Sequence, residues 1–417
     1  MSYISVVGGN RLEGEVRLQG SKNAALPVLA AAVLCRGTVR IKNCPDISDV
    51  RELLHALSYA GVKNVRDGDV VELDTSEAVP VYFGPELAGK TRGGVLLLGA
   101  FLGRFKEAGM AYPGGCVIGA RPIDLHCKLF RELHLSLTEG EEGVIVKGTP
   151  KGERIVLSYP SVGATENAVL ASVCGEGRTE IIGAAREPEV AELCNFLKKA
   201  GADIRGVGSS RLVIEGGNCL HEVDYTLAGD RIVAGTYMAA ALITGGEILL
   251  RKTDRVCMKG IFEPFYATGA RVYREKDLIF VRAPKRLFPL IRWKTAPFPG
   301  FPTDMQSQMV ALLSVAEGES RIYETVFESR FGVLPELQRM GAQVAREKQC
   351  IVIRGRKSLY GATVEASDLR SGAALAVAAL KAEGESRIYG YDYIARGYEG
   401  FCETLQGIGA KSILREE

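Results

Sequence analysis

Paired cysteines and clustered histidines are missing from this 417-residue chain. Its ten cysteines form no CxxC pair and follow no regular spacing. That argues against a zinc ribbon or a disulfide scaffold and fits reduced thiols in a cytoplasm. The four histidines, His55, His126, His134 and His221, are dispersed, with no HExxH and no triad spacing. No GxxxxGKS/T phosphate loop is present, and no GxGxxG follows a strand. The longest apolar stretches, such as Ala24 to Cys35, fall short of the roughly 18 residues that a membrane span needs. No charged-then-apolar leader opens the chain, so neither export nor membrane insertion is expected. A net charge of +2 excludes a broad nucleic-acid surface and leaves anion binding to local sites. With 47% apolar and 24% charged residues, the composition is that of a globular protein with two or three ordinary cores.

What the chain does contain is one pattern in six copies. Val50, Leu53, Leu54 and Leu57 precede Gly61, and Val190, Leu193, Cys194 and Leu197 precede Gly201. Met258, Ile261, Phe262 and Phe265 lead to Gly269, and Tyr398, Phe401, Cys402 and Leu405 lead to Gly409. This spacing is one helical face, and the trailing glycine suits a left-handed helix stop. Two copies deviate. Arg330 replaces the first apolar residue ahead of Val333, Leu334, Leu337 and Gly341, and His134 replaces the glycine after Ile123, His126, Cys127 and Phe130. A period of roughly 70 residues is too long for a solenoid unit, so each copy is a small α/β subdomain.

Each unit opens on a polar cluster followed by a nearly unbroken apolar helix, as in Ser21-Lys22-Asn23 before Ala24–Leu34 or Asp368-Leu369-Arg370 before Ala373–Leu380. A helix that is apolar all round is buried on every side. The whole unit reads strand, buried helix, strand, amphipathic helix, strands, with three units in each of two bodies. Buried helices that share an end would gather their N-termini, and those N-termini carry Ser, Thr and Asp together with Lys22, Arg92, Arg231 and Arg370. Free amide N–H groups and the positive dipole end make such places anion sites.

Three places stand out as candidate chemistry. The segment Tyr112 to His126 holds three glycines and two prolines around Cys116, whose thiol lies five residues from Arg121. A neighbouring cation favours the thiolate, which makes Cys116 a candidate nucleophile or proton donor. Thr303-Asp304 follows three closely spaced prolines, so Asp304 is either a helix cap or a base. Arg330 puts a charge on an otherwise apolar stripe, and departures from a local rule mark function. His126 reads as a structural histidine in preference to a ligand-facing residue in the loop's helix.

These segments, taken in order, resemble a known family over nearly the whole chain. Gly20 to Pro27, Pro113 to His126, Ser161 to Thr165, Ala185 to Glu189, Phe301 to Gln306, Val326 to Arg330 and Asp368 to Arg370 are similar to the UDP-N-acetylglucosamine enolpyruvyl transferases of the EPSP synthase superfamily. That resemblance implies an α/β inverse barrel of two lobes with three βαβαββ units each. One lobe would span residues 22–229 and carry the cysteine loop. The other would join residues 1–21 to 230–417, with the active site in the cleft between them.

The activity implied is transfer of the enolpyruvyl group of phosphoenolpyruvate to the 3′-hydroxyl of UDP-N-acetylglucosamine, with no metal and no cofactor. It is the first committed step of peptidoglycan synthesis. Carried over by position, Cys116 would be the proton donor, able to form a covalent phosphoenolpyruvate adduct and to react with fosfomycin. Asp304 would accept the hydroxyl proton. Lys22, Asn23, Arg121 and Arg396 would hold the phosphate of phosphoenolpyruvate, and Arg370 would lie near its carboxylate. Arg92, Arg121, Pro122, Ile123, Asp124, Leu125, Tyr159, Pro160, Ser161, Val162, Asp304 and Val326 correspond to nucleotide-sugar contacts, with Glu187 and Arg330 supporting the cleft. The partners are thus two small molecules, with no nucleic acid and no membrane.

Some positions depart from the family pattern. Tyr159, ahead of Pro160, stands where some members have a lysine, Gly93-Gly94 follow Arg92 where a less flexible pair is common, Ala395 precedes Arg396 in place of an aspartate, and His134-Leu135 replace Gly-Ala. They leave room for a slower paralogue. Two other readings compete. A shikimate-pathway enolpyruvyl transferase would lack the loop cysteine, and a sensor of UDP-N-acetylglucosamine would bind without turnover.

Overall fold

The computed structural model describes residues 2–88, 92–112, 123–253 and 256–416. Within them lie six four-stranded sheets and one two-stranded ribbon. Every four-stranded sheet is built alike, with antiparallel strands extended at one edge by a parallel strand. Val223–Thr226 runs parallel to Thr38–Lys42, which continues antiparallel into Val70–Asp74 and Lys63–Asp67. Arg154–Val156 plays the same part for Arg178–Ile182, Arg211–Glu215 and Asp203–Arg205. Glu13–Arg17 does so beside Glu247–Arg251.

The described residues divide into two compact units. Those between positions 20 and 112 and between 123 and 228 form one, and those between 2 and 19 and between 229 and 416 form the other. Strand pairing explains why the first residues belong with the last. Ser2–Val7 is a central strand, flanked antiparallel by Glu385–Tyr389 and Lys411–Glu416. Each unit has its own hydrophobic core, one drawn from positions 24–227 and the other from positions 4–18 and 232–410.

The two kinds of helix predicted from the repeats are both present, six of each. The apolar ones are Lys22–Ala32, Leu96–Phe105 and Val162–Ser172 in the first unit. In the second they are Arg231–Ile243, Gln306–Leu313 and Leu369–Ala379. Nearly all their residues are buried, and in the second unit all three pack on one another. In the first unit Leu96–Phe105 lies against Val162–Ser172 at glycines. A methyl group on Gly99 would sit 2.5 Å from Asn167 Oδ1, and one on Gly103 2.7 Å from the Leu170 carbonyl oxygen. Only glycine allows that approach.

The amphipathic helices are Ser48–Tyr59, Asp124–Glu132, Pro188–Lys199, Phe262–Ala267, Val333–Arg339 and Phe401–Gly407. Five end at a glycine with positive φ, such as Gly61 at 83° and Gly201 at 111°. The sixth ends at His134, which adopts the same left-handed conformation, φ 60°. The stop therefore survives the loss of its glycine. Arg330 falls just ahead of Val333–Arg339 rather than within its stripe, so its burial is a property of the turn and not of the helix.

Candidate functional site

In the second unit the N-terminal ends of the three apolar helices meet. Pro302 brings the chain in extended, and Thr303–Met305 form one 3-10 turn that leads into Gln306–Leu313. Asp304 makes no cap bond there. Its Oδ1 accepts from Arg330 Nη1 at 2.8 Å, and its Oδ2 accepts from Arg370 Nη2 at 2.7 Å and Nε at 3.2 Å. Arg370 stands in the first turn of Leu369–Ala379, behind a capping box in which the Asp368 carboxylate accepts from the Ser371 amide and the Ser371 hydroxyl accepts from the Asp368 amide. Asp230, the cap of Arg231–Ile243, lies within electrostatic reach of Arg370.

The ion pairs are largely withdrawn from water, with side-chain exposures of 5% for Arg370, 7% for Arg330 and 24% for Asp304. Burial alone would push the Asp304 carboxyl up. Arg370, and then Arg330, outweigh it and hold the group well below the usual carboxylate range. For Arg370 burial opposes the charge, and Asp304 more than restores it.

Glu324 organises the floor of this cluster, and nothing in the sequence marked it. It is 1% exposed. Its Oε1 accepts from Thr295 Oγ1 at 2.9 Å, from the Val326 amide at 2.8 Å and from the Phe327 amide at 3.1 Å. Its Oε2 accepts from Thr303 Oγ1 at 2.9 Å, and that hydroxyl also accepts from Arg330 Nη1. One carboxylate therefore sets the turn that carries Val326 and fixes the residue beside Asp304. Glu324→Leu strands four donors. Each stranded buried donor costs about 1–3 kcal/mol, so thermal unfolding should show a loss of several kcal/mol, with Glu324→Gln in between.

Arg396 closes the short helix Tyr391–Ala395 and is half-buried. The segment behind it is gripped by Gln19, whose side chain donates to the Gly397 carbonyl oxygen and accepts from the Glu399 amide. No direct bond joins Arg396 to Asp304 or Arg370 among the hydrogen bonds described.

In the first unit Lys22 opens Lys22–Ala32, and its ammonium meets Asp49 Oδ2 at 2.6 Å, both groups being nearly buried. Asn23 beside it is half-buried. Ser161 caps Val162–Ser172, accepting from the Ala164 amide, while its own amide donates to the Tyr159 carbonyl oxygen. The Tyr159 side chain is exposed, Pro160 and Val162 half-buried. The same helix end touches the neighbouring helix, since a methyl group on Gly163 would lie 3.2 Å from the His126 ring. Ile123 is buried, Leu125 half-buried and Asp124 exposed at the start of Asp124–Glu132.

His126 is structural, as expected. The Asn167 amide donates to its Nδ1 at 2.8 Å and to the Val95 carbonyl oxygen, and accepts from the Gly99 amide. Glu187 precedes Pro188–Lys199, and it and Glu189 act electrostatically on the buried Glu166. Cys116, Arg121 and Pro122 lie outside the described residues, and of Arg92 only the backbone is described, at the head of the turn Arg92–Val95.

Several of the other thiols are buried. Burial pushes Cys35 and Cys194 up to about 12, and raises Cys174 and Cys402 as well. Among the described residues no group of three His, Cys, Asp or Glu side chains could hold a metal ion, and no helix is long and apolar enough to cross a membrane.

Six sheets over two sets of buried helices define the two-lobed fold of the enolpyruvyl transferases. A solved enolpyruvyl transferase, NikO from Streptomyces tendae, is similar with a TM-score of 0.89 and 27% identity, covering 99% of each chain. EPSP synthase from Acinetobacter baumannii has a TM-score of 0.77 at 19% identity over 100% of both chains, which speaks for the fold alone.

The family profile described as EPSP synthase (3-phosphoshikimate 1-carboxyvinyltransferase) matches residues 6–405, and the chain belongs to that family. Within it, the chain is 43% identical over 416 residues to UDP-N-acetylglucosamine 1-carboxyvinyltransferase 2 of Carboxydothermus hydrogenoformans, covering 99% of each. It is 41% identical over 411 residues to the enzyme of the same description from Caldanaerobacter subterraneus, covering 98% of this chain and 99% of the relative. Identity to the UDP-N-acetylglucosamine 1-carboxyvinyltransferase of Dichelobacter nodosus is 41% over 413 residues, covering 99% and 98%.

Proposed function

We propose that this protein transfers the enolpyruvyl group of phosphoenolpyruvate to the 3′-hydroxyl of UDP-N-acetylglucosamine and releases phosphate. This is the first committed step of peptidoglycan synthesis, carried out in the cytoplasm. The observation that carries the reading is identity of 41–43% along essentially the full length of relatives bearing that activity in their names. The chemistry of the Asp304 cluster and of Lys22 is consistent with it.

In the addition step the acceptor oxygen bonds to C2 of phosphoenolpyruvate. The hydroxyl proton passes to Asp304, and the methylene carbon gains a proton from Cys116, giving a tetrahedral ketal. In the elimination step the C2–phosphate bond breaks with its electron pair leaving on phosphate, which takes the proton from Asp304, while the new methyl group gives a proton back to the Cys116 thiolate and the double bond returns. Lys22, with Asn23, Arg121 and Arg396, holds the phosphate. Asp49 fixes the Lys22 ammonium in place, which limits the side-chain freedom lost when an anion arrives. Arg370 takes the donor carboxylate, for which its planar fork is suited. Ser161, Val162, Ile123 and Val326 belong to the acceptor's nucleotide-sugar contacts.

The test is phosphate release by purified protein from phosphoenolpyruvate, with UDP-N-acetylglucosamine or shikimate 3-phosphate as acceptor. Release with the nucleotide sugar alone is expected. Release with shikimate 3-phosphate alone would reassign the substrate, and binding without release would make the protein a sensor. Fosfomycin should inactivate the wild type and spare Cys116→Ser. Full sensitivity of the variant would remove that thiol from the chemistry.

A further inference from the structure

Asp304 is held in a way that does not suit a base. A carboxylate that accepts three guanidinium N–H bonds has little affinity for a proton. A general base must also present a free lone pair to the hydroxyl it deprotonates. Two arginines produce this state, and they are not equivalent. Arg330 is tied elsewhere as well. Its Nη1 donates to Thr303 Oγ1 at 2.9 Å, and its guanidinium lies over the Phe327 ring at 5.0 Å. The side-chain hydrogen bonds described for Arg370 all go to Asp304 Oδ2.

We propose that Arg370 keeps Asp304 idle until the carboxylate of the enolpyruvyl donor takes over the Arg370 fork, so that the base is freed only when the donor is in place. The inference rests on the function proposed above and adds to it an order of events and a role for Arg330. Exchange of one carboxylate for another leaves the buried Arg370 cation paired throughout, which avoids the large cost of an isolated buried charge. Arg330 retains Oδ1 and keeps Asp304 in position while Oδ2 turns to the acceptor hydroxyl. An enzyme so built does not ionise the acceptor without a donor to receive it.

Competition for one guanidinium has a reciprocal signature. If Asp304 and the donor carboxylate exclude each other at Arg370, removing the Asp304 charge must strengthen donor binding. Dissociation constants for phosphoenolpyruvate and for inorganic phosphate should be measured in a Cys116→Ser background, which prevents covalent capture, with Asp304 intact and with Asp304→Asn. Phosphoenolpyruvate is expected to bind about tenfold tighter to the Asn variant. Inorganic phosphate, which lacks the carboxylate, should change by less than about twofold.

Equal tightening of both ligands would reveal a general charge effect and overturn the inference, as would an unchanged affinity for phosphoenolpyruvate. Should Asp304→Asn fail to fold, carbon-13 NMR titration of the Asp304 carboxyl in the Cys116→Ser protein replaces it. The carboxyl should bind a proton more readily once phosphoenolpyruvate is saturating, and an unmoved titration would sink the idea. Absence of phosphoenolpyruvate binding in every form would remove the proposed function together with the inference. Binding with normal phosphate release but no coupling would remove only the inference.

Discussion

Replacing Asp304 by alanine should cut turnover by roughly 10²–10⁴-fold, the usual contribution of a positioned base, while nucleotide-sugar binding persists. The distinction follows from chemistry, because a base matters only as the hydroxyl attacks. The same substitution leaves Arg330 and Arg370 without their shared counter-charge at side-chain exposures of 7% and 5%. Removing one partner of a buried pair costs about 3–5 kcal/mol, so part of any lost activity could be lost fold. Turnover must therefore be compared per folded molecule, with the folded fraction read from thermal unfolding. Near-normal turnover per folded molecule would reduce Asp304 to a structural anion.

The acid limb of stability gives a second view of the same group. The two guanidinium groups depress the Asp304 carboxyl in the folded protein, so its contribution is complete above the unfolded value, about 3.9, and is lost as pH falls through the folded one. Wild-type protein should lose stability more steeply below about pH 4 than Asp304→Asn does.

The repeat was legible because it is local. Four apolar positions and a stop lie within one helix, and the left-handed conformation of His134 shows that the pattern encodes backbone geometry rather than residue identity. Arg330 was legible for the converse reason, as a charge where five other copies carry an apolar side chain. Its target was not. Thr303 and Asp304 are more than twenty positions away, and only the turn before Val333–Arg339 brings them to its guanidinium.

Glu324 gave no signal at all. Its donors come from positions 295, 303, 326 and 327, and its own neighbours in sequence look like an ordinary strand end. Asp49 was likewise silent as the partner of Lys22, since the pair forms between the starts of two helices. Sequence pattern reports which face of an element is buried. Which polar groups meet across elements is decided by tertiary packing.

Glu166 illustrates the point with the largest expected effect on stability away from Asp304. It occupies Val162–Ser172, is 4% exposed, and its Oε1 has no hydrogen-bond partner among the described residues. Burial first, then the charges of Glu189 and Glu187, push its carboxyl well above the usual range. The native state therefore keeps a proton that the unfolded chain gives up near its ordinary value, about 4.3. Stability must fall as pH rises from there until the native carboxyl itself ionises, by about 1.4 kcal/mol per pH unit.

Glu166→Gln keeps the shape and removes the titration. Denaturant unfolding should find the two proteins alike near pH 4 and the variant more stable at pH 8. Equal stability at both pH values would mean that Glu166 is charged in the folded protein and balanced by a cation. The apolar helix around it would then be a less hostile setting for a carboxylate than its burial implies.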